Sequence, residues 1–432
     1  MADRVVRDEI HRDILIPSSI GTLIDTKEFQ RLRNVLQLST CYYVFPSATH
    51  TRFSHSLGAY HLAKTLCDSL KEYQPDIFHE GDDELVAIAA LLHDIGHPPF
   101  SHLLETPEVF ATYHHHEHWG KLILESNDTE IGPALRNLLG ESRFQRLFAI
   151  YRGDDVHDGI PIPRFLKEIV SSQLDVDRMD YIVRDERNTG AQIGGFDIDR
   201  VFRALRVGSD GGLYAKAWGL PAIEAYLVTR YHMYHQVYFH KVNKLTQSYL
   251  VAMLKRARTL HDSGKLSLGP KLTAMLTNEN LSVKEYTRLT DADIIVAMDD
   301  WVGSDDEYLS KLASKMKNRR DFHKSIRIPE LNQQMAEKLR PKLLQLLKEN
   351  GFGEEDLITA KISSRGYMPY QEGIKLEDGR DVSEHSVLVQ SLIQSNEKIL
   401  IFIPEEVRDS CEQIAREIVK PTQTSLSRFA HP

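Results

Sequence analysis

The stretch LLHDIGHPPFSH, residues 91–102, places His93, Asp94, His97 and His102 in one short run. Imidazole nitrogen and carboxylate oxygen suit zinc, manganese or iron, with open positions left for water and substrate. His93 and Asp94 are adjacent, so on a helix they point about 100° apart. They can share one ion only from the helix end, and the other ligands must come from elsewhere. His55, after THTRFS, is a third candidate. A fourth is Asp177 in LDVDRMDYIVRD (174–185), a run that also offers Asp175, Asp180 and Asp185, with Arg178 and Arg184 among them. His114, His115, His116, Glu117 and His118 form a second cluster. A solvated loop is the plainer reading for most of these five; one or two could stand near the metal as charged neighbours.

The elements that must carry these residues look mostly helical. SHSLGAYHLAKTLCDSLKEY (54–73) has Leu57, Leu62, Leu66 and Leu70 at helical spacing, with Ser54 as the expected cap. DDELVAIAALLHDIG (82–96) opens on acidic residues and keeps Leu85, Ile88, Ala89 and Leu92 on one face. It must stop before Pro98-Pro99, so His102 need not follow the helical face of His93. The run 222–257 reads as one long helix. YYVFPSATHTRF (42–53) is extended or looped around Pro46. RALRVGSDGGLYAK (203–216) reads as a small hairpin. Further on, 356–370 and 398–406 read as strands, with a helix over 407–418. The expected fold is mainly α: a helical domain over 1–315, a smaller α+β lobe over 316–420 and a disordered tail over 421–432.

Composition narrows the function classes. The chain has 432 residues, enough for a large core and more than one lobe. Its apolar runs, such as Leu85–Leu92 and Ile399–Ile403, are too short to cross a bilayer. The N-terminus lacks the apolar centre of a signal peptide, so a cytoplasmic location is expected. Cys41, Cys67 and Cys411 are too scattered for a zinc finger or a redox pair. A net charge of −9 argues against a general nucleic-acid surface, though not against a local basic pocket for a polyanion.

Taken together, LLHDIGHPPFSH, FPSATHTRFSHSLG (45–58), DTKEFQRLR (25–33), VYFHKV (237–242) and LDVDRMDYIVRD resemble the HD-domain deoxynucleoside triphosphate triphosphohydrolases. That family includes bacterial dNTPases and the mammalian SAM-and-HD-domain enzyme; no SAM domain is expected here. The resemblance runs from about Arg4 to Arg320 and continues more weakly beyond. It implies an HD-domain helical core and a divalent metal, with Mn, Fe, Zn and Ni undistinguished, held by His55, His93, Asp94 and Asp177. Mg is implied on the nucleotide phosphates. The reaction implied is attack of water at the α-phosphorus of a dNTP, releasing deoxynucleoside and triphosphate. His102 matches the proposed general acid. His97, His116 and Glu117 match residues that orient that acid or the α-phosphate, and Arg52 an α-phosphate contact. Arg178, where relatives usually carry Lys, matches a triphosphate or sugar contact, as do Tyr181 and Arg230. Gln37 and Asp185 match partners of the sugar 3′-hydroxyl, Leu38 the wall against a 2′-hydroxyl, and Tyr238 an aromatic against the sugar.

The same resemblance implies a homotetramer activated by GTP or dGTP bound between subunits. Arg4, Val5, Asp25, Gln30 and Arg33 match that site, with Arg319 supplied by another subunit. Asp25 could accept two N–H bonds from guanine, and Arg4 and Arg33 could meet phosphates. A second dNTP pocket matches Val44, Phe45, Arg200, His240 and Lys241, but Arg7 and Trp218 depart from the pattern there. Two other readings compete: an HD phosphohydrolase of another nucleotide or phosphoester, and a nucleotide-sensing assembly protein without turnover.

Overall fold

The computed structural model describes residues 3–328, 331–364, 366–369, 373–394 and 396–418. The tail expected to be disordered, 421–432, lies outside these residues. The N-terminal element is an antiparallel hairpin of β1 (Arg4–Asp8) and β2 (Arg12–Ile16), in which Arg4 pairs with Ile16 and Arg7 with Asp13. Ile14 and Ile16 anchor it in the core.

Two helices meet at the centre. Helix α1 (Arg52–Tyr73) buries Leu57, Leu62, Leu66 and Leu70, as the spacing predicts. Its cap is Thr51 rather than Ser54, whose hydroxyl instead donates back to the Thr51 carbonyl at 2.9 Å. Helix α2 (Asp82–Leu92) is buried along the whole of its apolar run from Leu85 to Leu92. A helix that is apolar on all sides belongs inside a core. Its acidic first turn complements the helix dipole, and Asp82 is gripped by Arg146 through two bonds of 2.6 Å. The helix ends at Leu92 rather than continuing to Gly96. His93 caps it, and a turn leads to the prolines.

Helix α3 (His116–Glu125) packs across that turn, and helix α4 (Val176–Thr189) lies along α1. Glycines permit both approaches. A Cβ on Gly58 of α1 would stand 1.9 Å from the Asp180 carboxylate of α4. A Cβ on Gly96 would stand 2.1 Å from the His116 carbonyl oxygen.

The expected hairpin at 203–216 is present as β3 (Leu205–Val207) and β4 (Leu213–Ala215). The single helix expected over 222–257 is not. Helix α5 (Leu220–Met233) widens into a π-turn at Tyr234–Tyr238, the chain leaves helical geometry at Phe239–His240, and α6 (Lys241–Asp262) begins afresh. Periodicity cannot reveal such a break, because the apolar spacing persists through it; the His240 ring accepts the Val242 N–H and restarts the helix.

Helix α7 (Asp291–Trp301) packs against the side of the core. Near the C-terminus, β5 (Lys324–Ser325), β6 (Ile358–Ser364) and β7 (Asn396–Ile403) form an antiparallel sheet in the order β5-β7-β6. Of the strand expected over 356–370, β6 occupies 358–364. Helices α8 (Gln333–Glu349) and α9 (Arg408–Ile418) cover the sheet with a separate apolar cluster that includes Leu339, Leu343, Ile401 and Cys411. Between β6 and β7 the chain returns to the main core through Tyr367, Ile374, Val382 and Val389.

Replacing Gly58 with alanine forces its methyl group into the Asp180 carboxylate. Overpacking of this kind is expected to cost about 1–3 kcal/mol, read as a lower thermal unfolding midpoint. An unchanged midpoint would show that Asp180 can yield.

Candidate metal centre and active site

Three helix ends converge. His55 sits in the first turn of α1, His93 and Asp94 follow α2, and Asp177 lies in the first turn of α4. His55 Nε2 is 3.0 Å from Asp177 Oδ1 and 3.5 Å from Asp94 Oδ2. His93 Nε2 is 3.3 Å from Asp94 Oδ1 and 3.3 Å from Asp177 Oδ1. The two Nε2 atoms are themselves 3.3 Å apart.

The tautomers follow from the partners. His55 Nδ1 is 2.8 Å from Asp180 Oδ2, and His93 Nδ1 is 2.7 Å from the Ala90 carbonyl oxygen. Both partners only accept, so each Nδ1 donates and each Nε2 turns a lone pair to the centre. Two lone pairs and two carboxylates facing one point fit a divalent cation. Charge agrees with this. Burial opposes a proton on His55, yet its bonds to Asp177 and Asp180 raise it to about 10. Burial opposes ionisation of Asp94 as well, but the Arg52 guanidinium holds it well below the usual carboxylate range. The cluster draws positive charge inward, and a bound cation displaces protons from such ligands.

Asp180 is fully buried and gathers four bonds: from His55, from His11 Nε2 at 2.6 Å, and from Arg184 Nε and Nη2 at 2.8 and 2.9 Å. Arg184 also donates to Asp8 Oδ2 at 2.9 Å. The hairpin thereby touches the partner of a metal ligand. Sequence reasoning noted Asp180 beside the chosen ligand Asp177 but gave it no role. A signal existed: Asp180 follows Asp177 by nearly one turn, as Gly58 follows His55.

A second group adjoins the first. His97 stacks on His116 with ring centroids 3.9 Å apart, and His102 stands edge-on to His97 at 4.6 Å. Glu105 joins them, with Oε2 2.6 Å from His102 Nδ1 and Oε1 2.7 Å from His116 Nδ1. Burial opposes its charge, but these two imidazoles hold Glu105 below the usual range. Glu105 is thus the carboxylate bonded to His102 and His116; Glu117, expected to orient the acid or the α-phosphate, lines the cavity but is exposed beside His115. Sequence reasoning passed over Glu105 because the loop between His102 and the histidine run shows no periodicity. Burial and the Arg52 charge lower His97 well below the usual imidazole range, so it is neutral. Arg52 bridges Asp94 Oδ2 at 2.5 Å and Ser101 Oγ at 2.7 Å.

Both groups open onto a cavity of about 890 Å³. Gln37, Leu38, Arg52, Arg178, Tyr181, Asp185 and Tyr238 line it with His93, Asp94, His97, His102, His116, Glu117 and Asp177. Asp185 is held by His50 Nε2 and by the Tyr238 hydroxyl, both at 2.7 Å; His50 is a third residue that sequence reasoning missed. Gln37 Oε1 is buried with no hydrogen-bond partner among the described residues. Arg178 is tied to Asp175 and the Ser172 carbonyl. Arg230, expected on the substrate, does not line the cavity: it is buried and donates to Gln173 Oε1 at 2.9 Å.

Four of the six residues matched to a regulatory nucleotide pair with one another. Arg4 bonds Asp25, with Nη1 to Oδ1 at 2.6 Å. Arg33 donates to Gln30 Oε1 at 2.8 Å, and its guanidinium lies 3.5 Å from the Phe53 ring centre. Val5 is exposed. Arg319, expected from another subunit, donates to the Tyr43 carbonyl of its own chain at 2.8 Å. The second set divides into pairs. Phe45 meets His240 at 5.9 Å, while Arg200 lies over Trp218 at 5.3 Å. Val44 continues from Tyr43, and Lys241 opens α6. Arg7, a departure from the family pattern, pairs with Asp13 at 2.8 Å. No helix among the described residues is long and apolar enough to cross a membrane.

Comparison with known proteins matches an HD domain over residues 52–185 and an HD associated region over residues 196–427. The uncharacterized protein YwfO of Bacillus subtilis is 32% identical over 407 residues, covering 90% of this chain and 89% of that protein. Human deoxynucleoside triphosphate triphosphohydrolase SAMHD1 is 31% identical over 322 residues, 67% of this chain but 49% of the human protein. The chain thus spans about half the length of that relative. A phosphohydrolase crystal structure from Bacteroides thetaiotaomicron matches with a TM-score of 0.79 at 28% identity, covering 93% of this chain and 100% of that one.

An Asp180→Asn variant puts an amide where His55 needs an acceptor. Its affinity for Mn²⁺ is expected to fall about 10–100-fold, measured by metal titration of the apoprotein. Unchanged affinity would remove Asp180 from the support of the metal centre.

Proposed function

The chain belongs to the family built from an HD domain and an HD-associated region, and on that footing we propose that this phosphohydrolase cleaves dNTPs to deoxynucleoside and triphosphate. The observation that carries the reading is one shared cavity. Three of the metal donors, His93, Asp94 and Asp177, reach the same space as His102, which Glu105 holds from behind, and as the set Gln37, Leu38, Asp185 and Tyr238. The name of the human relative, 31% identical, points to the same substrate class.

A divalent ion held by His55, His93, Asp94 and Asp177 supplies Lewis acidity and a more acidic water when bound. The protein's own residues do the rest. Arg52, braced by Asp94 and Ser101, presents a guanidinium to the α-phosphate. Water adds at the α-phosphorus, the bond to the 5′-oxygen breaks, and that oxygen takes a proton. His102 is the donor: Glu105 engages Nδ1 and leaves Nε2 to carry the proton. Neutral His97 and His116 sit beside it without adding charge. The unpartnered Gln37 Oε1 accepts a sugar hydroxyl, and Asp185, fixed by His50 and Tyr238, takes the other side. Leu38 fills the place of a 2′-hydroxyl; steric exclusion supplements the weak rejection that an apolar wall gives.

GTP or dGTP is the proposed activator, in a homotetramer. For guanine to reach the Asp25 carboxylate, Arg4 must release it and turn to the phosphates. Arg230, off the cavity wall, leaves the phosphate chain fewer cations and keeps a smaller phosphoester open as the second reading.

Incubation of the Mn²⁺-loaded protein with the four dNTPs, ribonucleotides and simple phosphodiesters tests this. Deoxynucleoside and triphosphate are the expected products, formed faster with GTP. His102→Ala is expected to lower kcat by about 10²–10⁴-fold while retaining metal. Release of orthophosphate or pyrophosphate, or exclusive turnover of a phosphodiester, would sink the proposal.

A further inference from the structure

Asp291 is a buried carboxylate that the reaction proposed above does not use. It is the first residue of α7 and is 3% exposed. Its two oxygens are divided between two distant loops. Oδ1 accepts the Phe100 backbone N–H at 2.7 Å, and Oδ2 accepts the Leu36 backbone N–H at 2.9 Å. Phe100 lies two residues before His102, and Leu36 directly precedes Gln37 and Leu38.

The backbone at Phe100 is strained. Phe100 and the next residue, Ser101, both adopt positive φ, at 54° and 53°. Left-handed geometry is unfavourable for a residue with a Cβ, and two in succession persist only where surroundings over-determine them. Those surroundings are visible. Ser101 Oγ donates to the Leu36 carbonyl at 2.8 Å and accepts from Arg52 Nε at 2.7 Å. Tyr286, just before α7, donates to the Gly96 carbonyl at 2.6 Å. Asp291 supplies the only side-chain acceptor for the Phe100 and Leu36 amides among the described residues.

We propose that Asp291 is a positioning residue: by joining the Leu36 and Phe100 amides it locks the left-handed Phe100–Ser101 turn, setting the proton-donor loop against the sugar-recognition loop. The carboxylate has the chemistry for this. It offers two acceptors to two donors across one short bridge. Asparagine retains the shape but turns an amide N–H toward one of the two backbone N–H groups. Asp293, two residues on, caps the same helix through Thr290 and touches neither loop.

The activity arm rests on the dNTP reading; the exchange arm does not. Asp291→Asn and the control Asp293→Ala are loaded with Mn²⁺ and compared with wild type. The readouts are kcat, KM, metal content, unfolding midpoint and hydrogen exchange at the Leu36 and Phe100 amides. The expected result for Asp291→Asn is a fall in kcat of about 10–100-fold, unchanged metal content and faster exchange at both amides. Asp293→Ala is expected to keep wild-type kcat. Equal losses in both variants, explained by a lower unfolding midpoint, would reduce Asp291 to a general support of α7 and overturn the proposal. So would full kcat with slow exchange in Asp291→Asn. If that variant does not fold, wild type decides: protected Leu36 and Phe100 amides support the bridge, and exchange at the rate of open loops overturns it. If wild type turns over no dNTP, the substrate reading fails, while exchange in the variant still judges the bridge.

Discussion

The buried carboxylate of Asp180 is the constraint on which the metal centre depends. A carboxylate without solvent must be matched by donors or it loses its charge. Arg184 supplies two, His11 and His55 one each. The Arg184 side chain is itself fully buried and divides its charge between Asp180 and Asp8. This arrangement sets the tautomer of His55, and with it the direction of the Nε2 lone pair. It also dictates the close packing of α1 and α4, since only a glycine at position 58 leaves room for the carboxylate. The hairpin contributes Asp8 and His11, so an element remote in sequence from every metal ligand helps to hold one of them.

The histidine cluster beside the metal centre is supported just as broadly. The residues bearing its chemistry lie within the stretch matched by the HD domain, 52–185, apart from Gln37, Leu38 and Tyr238. Beside Arg52, several groups that fix the loop after α2 come from outside that stretch. Arg31 donates twice to the His97 carbonyl, Tyr286 to that of Gly96, and Asp291 accepts from Phe100. The HD-associated region thus has a direct physical role beside the site.

How much of this was legible in the sequence varied with the kind of constraint. The helices around His55 and His93 were readable because burial repeats at helical spacing, as in Leu57, Leu62 and Leu66. The convergence of His55, His93, Asp94 and Asp177 was suggested by ligand chemistry and spacing, although spacing alone could not choose Asp177 over its neighbours. Supporting contacts were harder. His50, Asp180 and Asp291 act through bonds to residues far away in sequence, and Glu105 through neighbours in a loop without periodicity; only Asp180 carries a local mark, its place one turn after Asp177. The break at 234–240 was hidden for a related reason: the apolar pattern continues while the hydrogen-bond register changes. Arg230 shows the opposite failure, a residue of suitable type whose partner, Gln173, holds it away from the cavity.

The bridge from Phe100 to Asp291 spans 191 positions, and that from His11 to Asp180 spans 169. Contacts so distant must bear the entropy of closing long loops before they can form. During synthesis the ligands from His55 to Asp177 emerge well before Asp291 does. A nascent chain can therefore present all four metal donors while the loop carrying His102 still lacks its bridge. The donors of the metal centre and the bridge that sets the loop carrying His102 thus become available at different points of synthesis, in that order.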